Sequence, residues 1–197
     1  IEGCPVEIDI KKFIYQITQK DYKGAYFAIR EKNNFPSICG RVCPAEYQCR
    51  LACVLSKKDL PFASLEAINI HFLERFAGDF GINNNLEVKR HSDKRLSKFK
   101  VAVVGSGPAG LCCAAELARY GIKVIIFEGL HQPGGVLRYG IPAFRLPRDI
   151  LDFEIDYLKK LGVEIVPNFI IGKVKTLDEL FKEGFSCIFL GLGAGVP

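Results

Sequence analysis

The chain has 197 residues, 49% hydrophobic and 25% charged, with a formal net charge of +5: an ordinary globular composition, sufficient for one medium domain or two small ones. No apolar run reaches the ~18 residues of a membrane-spanning helix, and no charged-then-apolar leader is present. The mild basic excess at Lys89, Arg90, Lys94, Arg95, Lys98 and Lys100 reads as a solvated linker, so neither a nucleic acid nor a membrane is expected as a partner.

The chain begins with Ile1 and contains no Met, so it reads as a piece of a longer protein, with any targeting peptide lying upstream. Residues 1–80 have helical periodicity. Phe13, Ile14 and Ile17 form one apolar stripe; Tyr22, Ala25, Tyr26 and Ile29 form a second. The stretch from Phe35 to Gly40 reads as turn-rich, and Phe62, Leu65, Ile68, Phe72 and Phe76 fall on one face of a further helix. Residues 81–99 change to a polar, charged stretch, taken as an interdomain connection.

From Lys100 the pattern alternates strand and helix. Strands are predicted at Val101–Val104, Lys123–Phe127, Val163–Val166, Phe169–Ile171 and Cys187–Leu190. Helices are predicted at Pro108–Tyr120, closed by Gly121, at Arg148–Leu161, and from a capping box at Thr176–Glu179 to near Gly184. Such alternation implies a parallel, doubly wound sheet.

The first strand runs into Gly105-Ser106-Gly107-Pro108-Ala109-Gly110, a G-x-G-x-x-G turn opening a helix. The glycines allow a tight turn, close approach of a pyrophosphate and close packing of helix on strand, while the helix N-terminus offers N–H groups to the phosphates. Glu128, at the end of the second strand, is placed to accept hydrogen bonds from a ribose; its charge disfavours a 2′-phosphate, leaving FAD or NAD. Cys112 and Cys113 on the following helix are not a C-x-x-C pair and read as small packing residues.

Five of the eight cysteines lie in the first 53 residues: Cys4-Pro5, then Cys39, Cys43-Pro44, Cys49 and Cys53. Beside a nucleotide-binding domain, such a group points to an iron–sulfur cluster, with a zinc site or inert thiols as the alternatives. The C-x2-C pairs usual for zinc are absent, and none of His71, His91 and His131 stands at ligand spacing.

Ile38-Cys39-Gly40-Arg41-Val42-Cys43-Pro44-Ala45-Glu46, Leu73-Glu74-Arg75-Phe76, Gly105 to Leu111, and His131 to Pro147 with its G-I-P-x-F-R-L-P string together resemble the glutamate synthase small-subunit family. That family of NADPH-dependent FAD and iron–sulfur oxidoreductases includes the large subunit of NADH-dependent ferredoxin:NADP oxidoreductase and the N-terminal part of dihydropyrimidine dehydrogenase. The resemblance implies an α-helical [4Fe–4S] domain (1–80, truncated at its N-terminus), a linker (81–99) and an α/β Rossmann-like FAD domain with a parallel sheet (100–197), cut before the NADP(H) domain. Cys4, Cys43, Cys49 and the Glu74 carboxylate would hold one cluster. Cys53 would serve a second, whose other ligands precede Ile1, and Cys39 would pack in the core. His71 standing for a common Gly, and a longer segment before Leu73, depart from the pattern around Glu74.

For FAD the resemblance carries over Gly105, Ser106, Gly107, Pro108, Ala109, Gly110, Glu128, Gly135, Val136, Leu137, Arg145 and Ile171. Pro108 and the Gly134-Gly135 pair favour FAD over NAD. Gly191 to Gly195 resembles a later turn near the flavin, with Leu192 where Thr is common. The implied activity is electron transfer between NADPH, FAD and the clusters, to a glutamate synthase large subunit or a ferredoxin-type partner in the cytoplasm, with no acid–base residue in this stretch. The other readings are a non-catalytic relay module of a larger enzyme such as dihydropyrimidine dehydrogenase, and a zinc-stabilised NAD-binding protein.

Overall fold

A computed structural model describes residues 3–56, 66–87, 93 and 95–194. The chain divides into two units, Ile1–Val88 and Lys89–Pro197.

The first unit is helical: α1 (Ile10–Thr18), α2 (Tyr22–Arg30), α3 (Pro36–Val42) and α4 (Ile70–Asn83), with single 3₁₀ turns at Ala45–Tyr47 and Val54–Ser56. The side chains of Asp9 and Asp21 cap α1 and α2 by accepting from Lys12 N and Gly24 N. Ile8, Phe13, Ala25, Ala28, Ile29, Ile70 and Ala77 form its core.

The stretch from Phe35 to Gly40 is mostly helix, not turn: Pro36 sits in the first turn of α3, where its fixed φ suits a helix and its missing N–H costs nothing. The face drawn through Ile68, Phe72 and Phe76 is not the buried one, and Phe62 and Leu65 lie outside the described residues. Helix α4 starts only at Ile70 and buries Ile70, Glu74, Ala77, Gly78 and Gly81, leaving Phe72 and Phe76 exposed. Small residues decide the packing. A Cβ at Gly78 would lie 2.6 Å from Ser37 N, one at Gly40 2.5 Å from Arg75 N, and one at Gly81 2.2 Å from the Tyr26 ring. Helix α4 therefore runs to Asn83, into the segment read as linker, because Gly81 is a packing residue against Tyr26.

The second unit is an α/β sandwich: β1 (Lys100–Val104), α5 (Pro108–Arg119), β2 (Lys123–Phe127), α6 (Val136–Tyr139), α7 (Arg148–Lys160), β3 (Glu164–Val166), α8 (Leu177–Lys182) and β4 (Cys187–Leu190). The strands are parallel in the order β3-β2-β1-β4, with Val104 opposite Phe127 and Leu190. One face packs Ala102, Ile125 and Phe127 on Leu180 and Phe185. The other lies under α5, where Val103 approaches Gly110. Phe169–Ile171 is not a strand; Ile171 makes a single bridge to Lys175, and Phe169 N is bonded to Glu128 O instead.

The chain leaves β1 toward β2 on one side and returns to β4 on the other. The C-terminal ends of β1 and β4 thus flank the point where strand order reverses, the crevice in which open α/β sheets bind ligands.

Candidate functional site

In the helical unit, close packing of α3 and α4 sets the positions of the donors. Arg41, near the end of α3, clamps Asp79 of α4 through two bonds of 2.7 and 2.8 Å. Cys43 is the C-terminal cap residue of α3, and Glu74 points inward from α4 with 7% of its surface exposed. At the other edge a Cβ on Gly3 would lie 2.9 Å from Cys49 Cα, so the N-terminal segment carries Cys4 directly against the Cys49 turn.

Burial pushes the Cys43 thiol up to about 11, and Glu74, Cys49, Cys4 and Glu46 add to the rise. Burial likewise raises Cys49, with Glu74 and Cys4 contributing. Burial lifts the Glu74 carboxyl to about 7, against the hydrogen bond from Asn33 Nδ2 to Oε1 at 2.7 Å. Cys4, Cys49 and Glu74 thus lie within electrostatic reach of Cys43, the four being the set implied for one cluster. Three thiols and a buried carboxyl with no basic partner for Glu74 among the described residues form a donor set suited to a cationic, thiophilic core. Among the described residues no three His, Cys, Asp or Glu side chains converge tightly enough for a single metal ion.

Cys53 is buried. Cys39 is half-buried, its Sγ 3.6 Å from Asn33 Oδ1, in keeping with packing. Two residues went unnoticed in the sequence. Asn33 accepts from Phe35 N and donates to Glu74, tying the α2–α3 turn to α4. Gln48 Oε1 lies 3.2 Å from Cys43 Sγ. Neither stands in a motif, so no local signal marks them.

In the second unit the glycine turn closes as the spacing requires. Gly105 has φ +93°, and a Cβ there would lie 2.4 Å from Gly191 O, locking the β1 turn against the end of β4. A Cβ on Gly110 would lie 1.9 Å from Gly105 O, whereas one on Gly107 would meet nothing within 4 Å. Gly107 therefore faces open space in front of the α5 N-terminus, and Pro108 and Ala109 are exposed beside it. Gly135 has φ +50°, and its added Cβ would lie 2.7 Å from Gly107 Cα, so the double-glycine turn sits directly on the glycine turn after β1.

Glu128 is buried, and both oxygens are engaged by protein groups: Oε2 accepts from Ser106 N at 2.8 Å and from Ser106 Oγ, and Oε1 from Leu130 N at 2.8 Å. Leu137 is buried and Val136 exposed. Arg145 is exposed, and its guanidinium has no hydrogen bond or ion pair among the described residues. The neighbouring arginines are spent on structure: Arg148 donates to Leu137 O and Ile141 O, and Arg138 to Pro133 O and Asp152. Ile171 packs against the core beside α8. Of the adjacent pair on α5, Cys113 is half-buried and Cys112 exposed, so only the first packs as expected.

Residues 1–86 match the family model for dihydropyrimidine dehydrogenase domain II, 4Fe-4S cluster, and residues 103–159 match the NAD(P)-binding Rossmann-like domain. The chain is 40% identical, over its whole length, to the NAD-dependent dihydropyrimidine dehydrogenase subunit PreT of Escherichia coli O157:H7, covering 46% of that protein. The PreT subunit of E. coli K12 is 39% identical over the same share of both chains. The NADPH-Fe(3+) oxidoreductase subunit beta of Geobacter sulfurreducens is 37% identical over 98% of this chain and 28% of its own. The chain thus spans under half the length of these relatives. No helix among the described residues is long and apolar enough to cross a membrane.

Proposed function

We propose that this chain is the cluster- and flavin-bearing part of an NAD(P)H-dependent electron-transfer oxidoreductase. The observation that carries the reading is the convergence of Cys4, Cys43, Cys49 and Glu74 in a chain that also builds the open Gly107 cradle beside Glu128.

Cys4, Cys43, Cys49 and Glu74 would hold one [4Fe–4S] cluster, and Cys53 would ligate a second. The turn from Gly105 to Gly110 would seat the FAD pyrophosphate on the α5 N-terminus, Glu128 would meet the ribose, Gly135 to Leu137 would line the flavin side, and the free Arg145 guanidinium would offer its fork to a phosphate. Backbone at Ile171 would meet the adenine. When bound, FAD accepts a two-electron donor and the clusters carry single electrons. This chain's own residues bind, orient and insulate; none is needed as an acid or base. NADP(H) would bind in a part of the protein outside this chain.

The acceptor is proposed to be a second subunit or domain, in the cytoplasm. The names of the relatives favour a pyrimidine- or Fe(3+)-reducing partner over the glutamate synthase large subunit or a ferredoxin-type protein. The match to a dihydropyrimidine dehydrogenase domain also favours a second reading, a relay module whose chemistry lies on that partner. Intact protein purified without air should carry flavin, iron and acid-labile sulfide. NADPH-dependent bleaching of the flavin marks the enzyme, and its absence in flavin-loaded protein marks the passive module. Colourless protein that refuses added FAD would refute both.

A further inference from the structure

We propose that the Ser106 hydroxyl is a positioning group for dinucleotide binding: it fixes the Glu128 carboxylate and the Gly134-Gly135 turn in the arrangement that receives the adenosine and the pyrophosphate. The proposal rests on the FAD reading above and gives that site a residue acting through others.

Ser106 is fully buried. Its Oγ accepts from Gly134 N at 3.0 Å and donates to Glu128 Oε2, while its own N–H donates to the same oxygen at 2.8 Å. One hydroxyl therefore joins three segments distant in sequence: the turn after β1, the residue after β2 and the double-glycine turn. Its single proton is committed to Glu128, so the side chain is no phosphate donor. Its role is the geometry of its neighbours.

That geometry matters at both ends of the cradle. With Oε2 taking two donors and Oε1 one, Glu128 is held by three hydrogen bonds, and Oε1 keeps a lone pair for a ribose hydroxyl. The bond to Gly134 N holds the turn whose next residue, Gly135, rests on Gly107 Cα. Without the hydroxyl, Glu128 loses one of its donors and Gly134 N–H its acceptor, both in buried surroundings where an unmet group is costly.

The test uses the intact protein, stripped of flavin and titrated with FAD: wild type, Ser106→Ala, Glu128→Gln and the double variant. Ser106→Ala is expected to weaken FAD at least about tenfold, the loss of a hydrogen bond to a charged group. The double variant should lose less than the product of the two single losses, because serine acts in part through Glu128. Ser106→Cys, near in size but a weak donor, should fall between wild type and Ser106→Ala, and it keeps the test open if the alanine variant cannot be purified. FAD affinity within about threefold of wild type for Ser106→Ala, or losses that multiply in the double variant, would overturn the proposal. So would a lower Tm of the apoprotein with FAD affinity unchanged, which marks a purely structural serine. If wild-type apoprotein itself takes up no FAD, the parent reading falls and this one with it, an outcome distinct from a variant that binds like wild type.

Discussion

Two glycines of one motif should fail in opposite ways when given a methyl group. Gly107 has φ −69°, a backbone any residue adopts, and its new Cβ would meet nothing within 4 Å. Gly107→Ala should therefore leave the apoprotein Tm within about 1 °C of wild type, since a residue that fits its site without strain costs little. The methyl projects into the space assigned to the pyrophosphate, so FAD binding should weaken by a factor of ten or more, on the order of 1.4 kcal/mol or above. Gly110→Ala is the reverse. Its Cβ would sit 1.9 Å from Gly105 O, where ordinary contact begins at 3.4 Å, so the helix or the loop must retreat by about 1.5 Å. Neither is free to move, because Gly105 N is bonded to Phe127 O and Gly105 abuts Gly191. Overpacking of this kind costs roughly 1–3 kcal/mol. For a unit of about 100 residues that is a fall in Tm of several degrees or more, already present in the apoprotein. Thermal unfolding of apo and FAD-loaded protein, with FAD titration, separates the two. Loss of apo stability in Gly107→Ala, or wild-type stability in Gly110→Ala, would refute this assignment of roles.

The helical unit gives a second contrast. Glu74→Leu removes the proposed ligand and the acceptor of Asn33, and should lower iron and sulfide per chain in the intact protein; unchanged content and an unchanged electron paramagnetic resonance spectrum of the reduced protein would argue against ligation. Gly81→Ala places a methyl 2.2 Å from the fully buried Tyr26 ring and should cost roughly 1–3 kcal/mol of stability with little direct effect on flavin, read by denaturant unfolding followed at the helical signal. Thr176→Ala breaks the capping box of α8 and should lower the Tm of the α/β unit. The Thr176 N–H, then its hydroxyl, hold the Glu179 carboxyl below its usual range. A depressed folded-state value means that this contribution is present above the ordinary carboxylate range and fades as pH falls through the lowered one. The Tm difference between variant and wild type should therefore shrink in acid.

Much of the second unit was legible because its signals are local. The β-branched run Val101–Val104, the glycine spacing, the capping box at Thr176 and Gly121 at the end of α5 each encode their structure within a few residues, and the folded chain has them where the pattern places them. Phe169–Ile171 misled because Phe169 and Ile171 serve the packing beside α8 rather than a ladder, while Ile170 is exposed. The first unit was harder for a different reason. Its apolar residues outnumber its buried positions, so Phe72 and Phe76 look like a core face while Glu74 and two glycines occupy it. A buried carboxylate and a close helix contact are tertiary facts; no periodicity announces them, and only the family resemblance drew attention to Glu74.

That same burial is hard to explain as architecture alone. A carboxyl lifted to about 7 by burial and held by one neutral amide contributes less to stability than a well-packed apolar side chain would. Its neighbours compound the difficulty, since the Cys43 and Cys49 thiols are pushed upward by burial and then by the same carboxyl. Helices α3 and α4 are nonetheless brought to glycine-limited separation around this group and locked there by the Arg41–Asp79 fork. Close packing of α3 on α4 around a buried carboxyl and the Cys43 thiol suits a positive core among these groups, the cluster proposed above. Loading that core should therefore stabilise the helical unit more than any single apolar replacement at Glu74, and iron removal should lower its unfolding temperature without touching that of the α/β unit.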